Sequence, residues 1–243
     1  MKLIQLTDLH LFAKPDGRLM GVNTFAALQA VLAVVRQQAA DAILLTGDIS
    51  QDASEASYRR CAEALADLGL PVHWIAGNHD DAEAAARVFA QYACMRRLDT
   101  LQCGDWTLLG VDGCVAGQDG GRIDESGLAA LQSRLAQVGH GLAAVVLHHH
   151  PLKVGTPLLD GCMLETGEAL WQALVRAPRA RLAICGHVHG DHSMLRDGVA
   201  LEVCPAVCFQ WRKGTCEAVI DQRHGFRLFD FQVDGYAVET LFL

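Results

Sequence analysis

The sequence predicts an α/β fold. Apolar runs of five or six residues alternate with segments whose apolar residues recur at helical spacing, the pattern of βαβ units. Five of those runs end in a cluster of His, Asp or Asn, and active sites of such sheets collect beyond the carboxyl ends of strands. With 243 residues, 51% hydrophobic and 20% charged, the chain can bury a large core and is too apolar for disorder.

Taken in order, Lys2–Thr7 is a strand, and Phe25, Leu28, Val31, Leu32 and Val35 keep helical spacing behind Asn23 or Thr24 as N-cap. Ala42–Thr46 is a second strand. Asp52 and Glu55 form a D-x-x-E capping box that opens a helix towards Leu68. Val72–Ala76 is a strand, Asp81–Tyr92 a helix and Trp106–Val111 a strand. Leu128, Leu131, Leu135 and Val138 mark a helix; Ala143–Leu147 is a strand, Thr166–Arg176 a helix and Arg181–Cys185 a strand. Ala200–Val203, Glu217–Asp221, Phe226–Phe231 and Tyr236–Phe242 read as antiparallel strands. With no Pro/Gly/Ser linker, low-complexity tract or repeat, residues 1–243 form a single domain.

Composition narrows the functions. Net charge is −8 and pI is near 5.7. Without a basic tract, no nucleic acid polymer is expected as partner. An anionic substrate would need a local positive centre to overcome the global field. The longest apolar runs, such as Leu142–Leu147, fall far short of the roughly 18 residues of a spanning helix. The N-terminus also lacks a signal peptide, so no membrane association and a cytoplasmic location are expected. Nine cysteines form no C-x-x-C pair; Cys61, Cys114 and Cys185 sit among small or apolar residues, as buried thiols do in a reducing compartment.

The five polar run-ends carry the chemistry: Asp8-Leu9-His10, Gly47-Asp48, Gly77-Asn78-His79-Asp80, His148-His149-His150-Pro151 and Gly186-His187-Val188-His189-Gly190. Asp8/His10 and His187/His189 are two apart, which in extended backbone puts both side chains on one face. The glycines remove bulk where backbone must turn beside a ligand. Imidazole, carboxylate and amide donors without cysteine suit Fe, Mn, Zn or Co. Asp8, His10, Asp48, Asn78, one of His148–His150, His187 and His189 are too many ligands for one ion. They fit two divalent transition-metal ions sharing a carboxylate, and Asp48, alone on its strand end, is the natural bridge. Two ions against two carboxylates leave a local positive centre for a phosphodiester, and a pair about 3.5–4 Å apart is the standard arrangement for phosphoryl hydrolysis.

D-x-H, G-D, G-N-H-D, H-x-P and G-H-x-H, in this order over residues 8 to 190, resemble the calcineurin-like metallophosphoesterase superfamily. The resemblance implies a four-layer α/β/β/α sandwich with two mixed sheets, the C-terminal strands (about 199–243) completing the second. It implies that Asp8, His10, Asp48 and His189 bind one metal and Asp48, Asn78, His149 and His187 the other, His149 being chosen as the His two before Pro151. Leu11-Phe12-Ala13, Gly21–Thr24, Gly47–Asp52, Leu147–Leu152 and Val207–Gln210 are similar to bacterial class III 3′,5′-cyclic AMP phosphodiesterases. The implied activity is hydrolysis of cyclic AMP to 5′-AMP by a metal-held hydroxide attacking phosphorus in line with the ribose 3′-oxygen. His10, Asn78, His79 and His189 would touch substrate. His79 would protonate the leaving oxygen or bind phosphate, with Asp80 orienting its ring. The same core serves glycerophosphodiesters and other small phosphoesters in principle, and a non-catalytic scaffold is the remaining alternative. The late strands offer an edge for a homodimer.

Overall fold

A computed structural model describes all 243 residues. The elements are β1 (Lys2–Leu6), β2 (Arg18–Leu19), β3 (Val22–Asn23), α1 (Thr24–Val35), β4 (Ala42–Thr46), α2 (Glu55–Ala66), β5 (Val72–Ile75), α3 (Ala82–Phe89), β6 (Met95–Arg97), β7 (Thr100–Cys103), β8 (Trp106–Gly110), α4 (Glu125–Ala136), β9 (Leu142–Val146), α5 (Pro157–Asp160), α6 (Gly167–Arg176), β10 (Ala180–Cys185), β11 (His192–Arg196), β12 (Val199–Val203), β13 (Gln210–Trp211), β14 (Ile220–Asp221), β15 (Gly225–Gln232) and β16 (Gly235–Phe242).

Two six-stranded sheets result, ordered β16-β15-β1-β4-β5-β6 and β11-β12-β10-β9-β8-β7. Successive side chains of a strand point to opposite faces. Leu3, Leu44 and Phe229 of the first sheet therefore pack against Leu108, Val146 and Ile184 of the second in one buried cluster. Their neighbours Ile4, Ile43 and Leu45 face outwards onto Leu28, Tyr58 and Phe89 of α1, α2 and α3. On the far side, Val145, Ala183 and Leu201 meet Leu131, Trp171 and Leu174 of α4 and α6. The layers run α/β/β/α, as the resemblance implies. Burial on both faces explains why these strands read as unbroken apolar runs rather than alternating ones.

The inner strands β1, β4 and β5 are mutually parallel, as are β8, β9 and β10. All five polar run-ends thus emerge at strand carboxyl ends, three from the first sheet and two from the second. No helix is long and apolar enough to cross a membrane.

Several expectations differ from what the chain does. The C-terminal strands divide: β12 pairs parallel with β10, while β15 and β16 extend the first sheet beyond β1. Phe229 and Phe231 place β15 there, because they complete the core between the sheets. The edge strand β11 lacks an apolar run because His192, Ser193 and Arg196 are polar and Leu195 is exposed, leaving Met194 as its one half-buried apolar residue. Asn23 does cap α1, accepting from the Ala26 amide. The cap of α2, however, is Ser54 rather than Asp52. The Asp52 carboxylate instead accepts from the Ala13 amide at 2.8 Å and tethers the loop after β1.

Candidate active site

The loops after β1 and β4 are zipped together before any ligand chemistry begins. The amides of Asp8 and His10 donate to the Gly47 and Asp48 carbonyls at 3.0 and 2.9 Å, and Gln51 N donates to the Leu11 carbonyl at 2.8 Å. Eight non-glycine residues adopt positive φ, and five of them are Asp8 (52°), His10 (47°), Asp48 (49°), His187 (68°) and His189 (45°). Each left-handed residue costs about 1–2 kcal/mol, so strain is concentrated where the predicted ligands lie, as it is at functional sites generally. The D-x-H and H-x-H pairs converge through these turns and not through the extended alternation that their spacing suggests. Leu9 and Val188, the intervening residues, are buried in the core. Gly47 (φ 94°) permits the approach of the two sheets, since a Cβ there would lie 2.6 Å from His148 Nδ1.

The side chains form two donor groups around Asp48. On one side, Asp48 Oδ2 lies 3.5 Å from His10 Nε2, which is 3.0 Å from His189 Nε2. His189 Nε2 is 3.5 Å from Asp8 Oδ1. On the other side, Asp48 Oδ1 lies 3.4 Å from His148 Nε2. Asn78 Oδ1 sits 3.1 Å from both His148 Nε2 and His187 Nδ1.

The outer hydrogen bonds of the rings show what these groups can hold. The Thr46 carbonyl takes the Nδ1 proton of His148 at 2.8 Å, and the Phe209 carbonyl that of His189 at 3.1 Å. Gln51 Oε1 takes that of His10 at 2.7 Å. In each neutral ring Nε2 is then a lone pair aimed inwards. Lone pair faces lone pair between His10 and His189, and His148 Nε2 lies among the oxygens of Asp48 and Asn78. His187 Nε2 is buried without any partner. Nitrogen and oxygen donors that crowd without protons between them fit cations, so both groups suit divalent metal ions.

Electrostatics agree. Burial pushes the His10 pKa down to about 4 and holds His187 and His189 well below the usual range, keeping these rings neutral and available. Burial also lifts Asp8 to about 7, the His148 charge opposing and the Asp48 charge adding to the rise. At His148 burial favours the neutral ring, yet the charges of Asp48 and Asp8 raise its pKa to about 9. That position demands positive charge.

A cavity of about 360 Å³ opens over both groups. His10, Asp48, Asn78, His79, His187 and His189 form its floor, and Leu19, Met20, Leu158, Leu159 and Trp211 are among its apolar walls. A larger cavity of about 800 Å³, bounded by Asp105, Arg179 and Arg181, lies at the amino ends of the strands and gathers no such donors.

The profile of the calcineurin-like phosphoesterase family matches residues 1–191. This chain belongs to the calcineurin-like phosphoesterase family. It is 35% identical over 223 residues to a Vibrio vulnificus protein named 3′,5′-cyclic adenosine monophosphate phosphodiesterase CpdA, covering 91% of this chain and 81% of that one. The Escherichia coli K12 protein of the same name is 32% identical over 238 residues, covering 97% of this chain and 86% of its own. Among solved structures, a dimetal phosphatase from Danio rerio superposes with a TM-score of 0.72 at 13% identity, covering 99% of this chain and 98% of that one. As a calcineurin-like phosphoesterase, the chain is a hydrolase of phosphoric esters.

Within this phosphoesterase, seven of the predicted site residues (Asp8, His10, Asp48, Asn78, His79, His187 and His189) come together. Two assignments need correction. His149 lies beside His187, ring centroids 4.5 Å apart, but its Nε2 faces the Asp119 carbonyl at 3.1 Å, and His148 takes the place beside Asp48 and Asn78 expected of it. The reason is the sheet ladder. His148 is still held by it, its carbonyl accepting from Gly186 N at 3.1 Å, so its ring points across to Thr46 of the first sheet. Nor does Asp80 orient His79. Its carboxylate accepts from the amides of Gly77, Ile49 and Ser50 at 2.9, 3.1 and 2.9 Å, which ties the G-N-H-D turn to the G-D loop. The residue beside the His79 ring is Gln51, whose Nε2 lies 3.3 Å from His79 Nδ1. Gln51, Thr46 and Phe209 act on the rings from outside the cluster. Two of them do so through backbone carbonyls, which carry no signal in a sequence.

Proposed function

We propose that this phosphoesterase is a binuclear metal-dependent phosphodiesterase that hydrolyses 3′,5′-cyclic AMP to 5′-AMP. The observation that carries the binuclear reading is the Asp48 carboxylate, one oxygen towards His10 and the other towards His148. Asp8, His10, Asp48 and His189 would hold one divalent ion; Asp48, Asn78, His148 and His187 the other. Bound there, such ions would neutralise phosphoryl charge and lower the pKa of water, the usual chemistry of two-metal hydrolases. The substrate class rests on the names of the relatives that align along nearly the whole chain. The apolar wall of the cavity, with Leu19 and Trp211, suits a purine beside a phosphate on the His/Asn floor.

The protein's own groups do the rest. Asn78 and His79, at the cavity floor, bind the phosphate oxygens. His79, with its Nδ1 turned to Gln51, delivers a proton to the ribose 3′-oxygen as the phosphorus–oxygen bond breaks. The buried rings of His10, His148 and His189 are fixed from behind by Gln51 and the Thr46 and Phe209 carbonyls, so little reorganisation accompanies charge development.

The test is metal analysis joined to hydrolysis of cyclic AMP, cyclic GMP, a 2′,3′-cyclic nucleotide and a glycerophosphodiester, before and after chelation. The expected result is two ions per chain, fastest cleavage of cyclic AMP, loss of activity on chelation and return with manganese. Intact cyclic AMP in the metal-loaded protein, or cleavage that survives chelation, refutes the reading.

A further inference from the structure

We propose that the concavity between β13 and the G-H-x-H-G loop is a second phosphate site, which takes the phosphate group of a nucleotide and is separate from the His/Asn floor. The site stands on its own residues and does not depend on the cyclic AMP reading.

A cavity of about 590 Å³ lies beside the catalytic one, and Trp211 is the one residue that lines both. Its indole also meets the His189 ring, centroids 5.9 Å apart, so it forms the partition between the two spaces. Four of the chain's 20 basic residues gather here. Arg212, Lys213 and Arg223 line the cavity, and Arg227 holds its Asp191 wall. In a chain of net charge −8, such a gathering calls for anions. Two are supplied by the protein. Asp221 Oδ2 accepts from Arg223 Nη2 at 2.6 Å, and Asp191 Oδ1 from Arg227 Nη2 at 2.6 Å. Arg212 and Lys213 are left over. Arg212 is held through its backbone amide, which donates to the Val219 carbonyl at 2.8 Å, and its guanidinium has no carboxylate partner. The Lys213 ammonium donates to the Asp191 carbonyl. Burial, opposed by the Asp191 charge and aided by those of Arg227 and Arg223, pushes the Lys213 pKa down, a cost that a bound anion would relieve.

The donors define the ligand. A planar guanidinium fork beside a compact ammonium charge suits one phosphate group. The Trp211 indole at the same cavity offers a face on which a base stacks. The site also reaches the catalytic loop. Trp211 N donates to the His189 carbonyl at 2.8 Å, and Lys213 reaches the carbonyl two residues further on, so a phosphate that draws Lys213 away is felt there. The phosphate has two possible sources. One is a separate nucleotide that acts as an effector. The other is the far phosphate of a substrate longer than a cyclic mononucleotide, reaching across Trp211 from the floor.

The experiment titrates 5′-AMP calorimetrically into the manganese-loaded full-length wild type and Arg212→Gln/Lys213→Gln. Both side chains are exposed and neither lines the catalytic cavity, so the variant should keep its fold, metal content and kinetics on cyclic AMP. The wild type should bind one more equivalent of 5′-AMP than the variant, or bind that equivalent roughly 10–100-fold more tightly. Equal stoichiometry and affinity in the two proteins overturns the proposal. So does a variant that keeps its metals but loses cyclic AMP hydrolysis, because the two cations would then belong to the catalytic cavity. Two further arms separate the sources. If the KM of a 5′-phosphorylated dinucleotide rises in the variant by the same factor while that of cyclic AMP does not, the site serves a longer substrate. If 5′-AMP alters cyclic AMP hydrolysis non-competitively in the wild type alone, the site serves an effector. A wild type that binds the extra equivalent but leaves cyclic AMP intact refutes the phosphodiesterase reading and leaves the second site standing.

Discussion

Arg227→Met tests how the C-terminal strands support the candidate site. Arg227 lies on β15 with its side chain 1% exposed. It donates from Nη1 to Glu202 at 2.6 Å, from Nη2 to Asp191 at 2.6 Å, and from Nη2 to the His192 carbonyl at 3.0 Å. Asp191 follows the G-H-x-H-G loop, so this guanidinium ties that loop to both sheets. Met fills the same volume but leaves two carboxylates without their cation, and breaking a buried pair in this way costs about 3–5 kcal/mol. The side chain of Asp191 is 34% exposed, so water screens its share, whereas Glu202 is 7% exposed and carries most of the penalty. The lower end, about 3 kcal/mol, is therefore expected. For a chain of this size that corresponds to a fall in Tm of roughly 6–12 °C. Calorimetry on the metal-free protein reads it, and Arg227→Met/Glu202→Gln should recover part of the loss because the stranded charge is gone. A fall below about 2 °C, or a double variant worse than the single one, would refute the reasoning.

Three other predictions bear on the site. His148→Ala should lose one of the two metal equivalents by elemental analysis while His149→Ala keeps both; the opposite outcome would restore the assignment drawn from the H-x-P spacing. His79→Ala should lower turnover by roughly 10²–10⁴-fold with metal content intact, and a loss of metal instead would make His79 a ligand. Gly47→Ala combines a positive φ with a Cβ 2.6 Å from His148 Nδ1. It should displace that ring and weaken zinc binding in calorimetric titration, and unchanged affinity would show that the sheets can yield there.

The motif-bearing strands were legible because burial on both faces makes each an unbroken apolar run, and because a polar cluster after such a run has little reason to exist except at a site. What spacing could not convey was backbone conformation. Asp8 and His10 share a face through left-handed turns, which no period-two rule contains. The choice among His148, His149 and His150 depended on where the β9 ladder ends, and on a carbonyl at Thr46, 102 residues away. Asp80 looked like a partner for its neighbour His79, but three backbone amides needed its oxygens more. Gln51 stood in a recognisable segment, yet its role appears only when His10 and His79 are seen on its two sides. β15 escaped correct placement because Phe226, Phe229 and Phe231 announce a strand without naming the sheet they complete.

Anomalous diffraction from manganese-loaded crystals measures the central claim most directly. Two peaks are predicted, roughly 3.5–4 Å apart, both in contact with the Asp48 carboxylate, His148 beside one and His10 with His189 beside the other. A single peak, or a pair that leaves Asp48 without contact to either, would contradict the account.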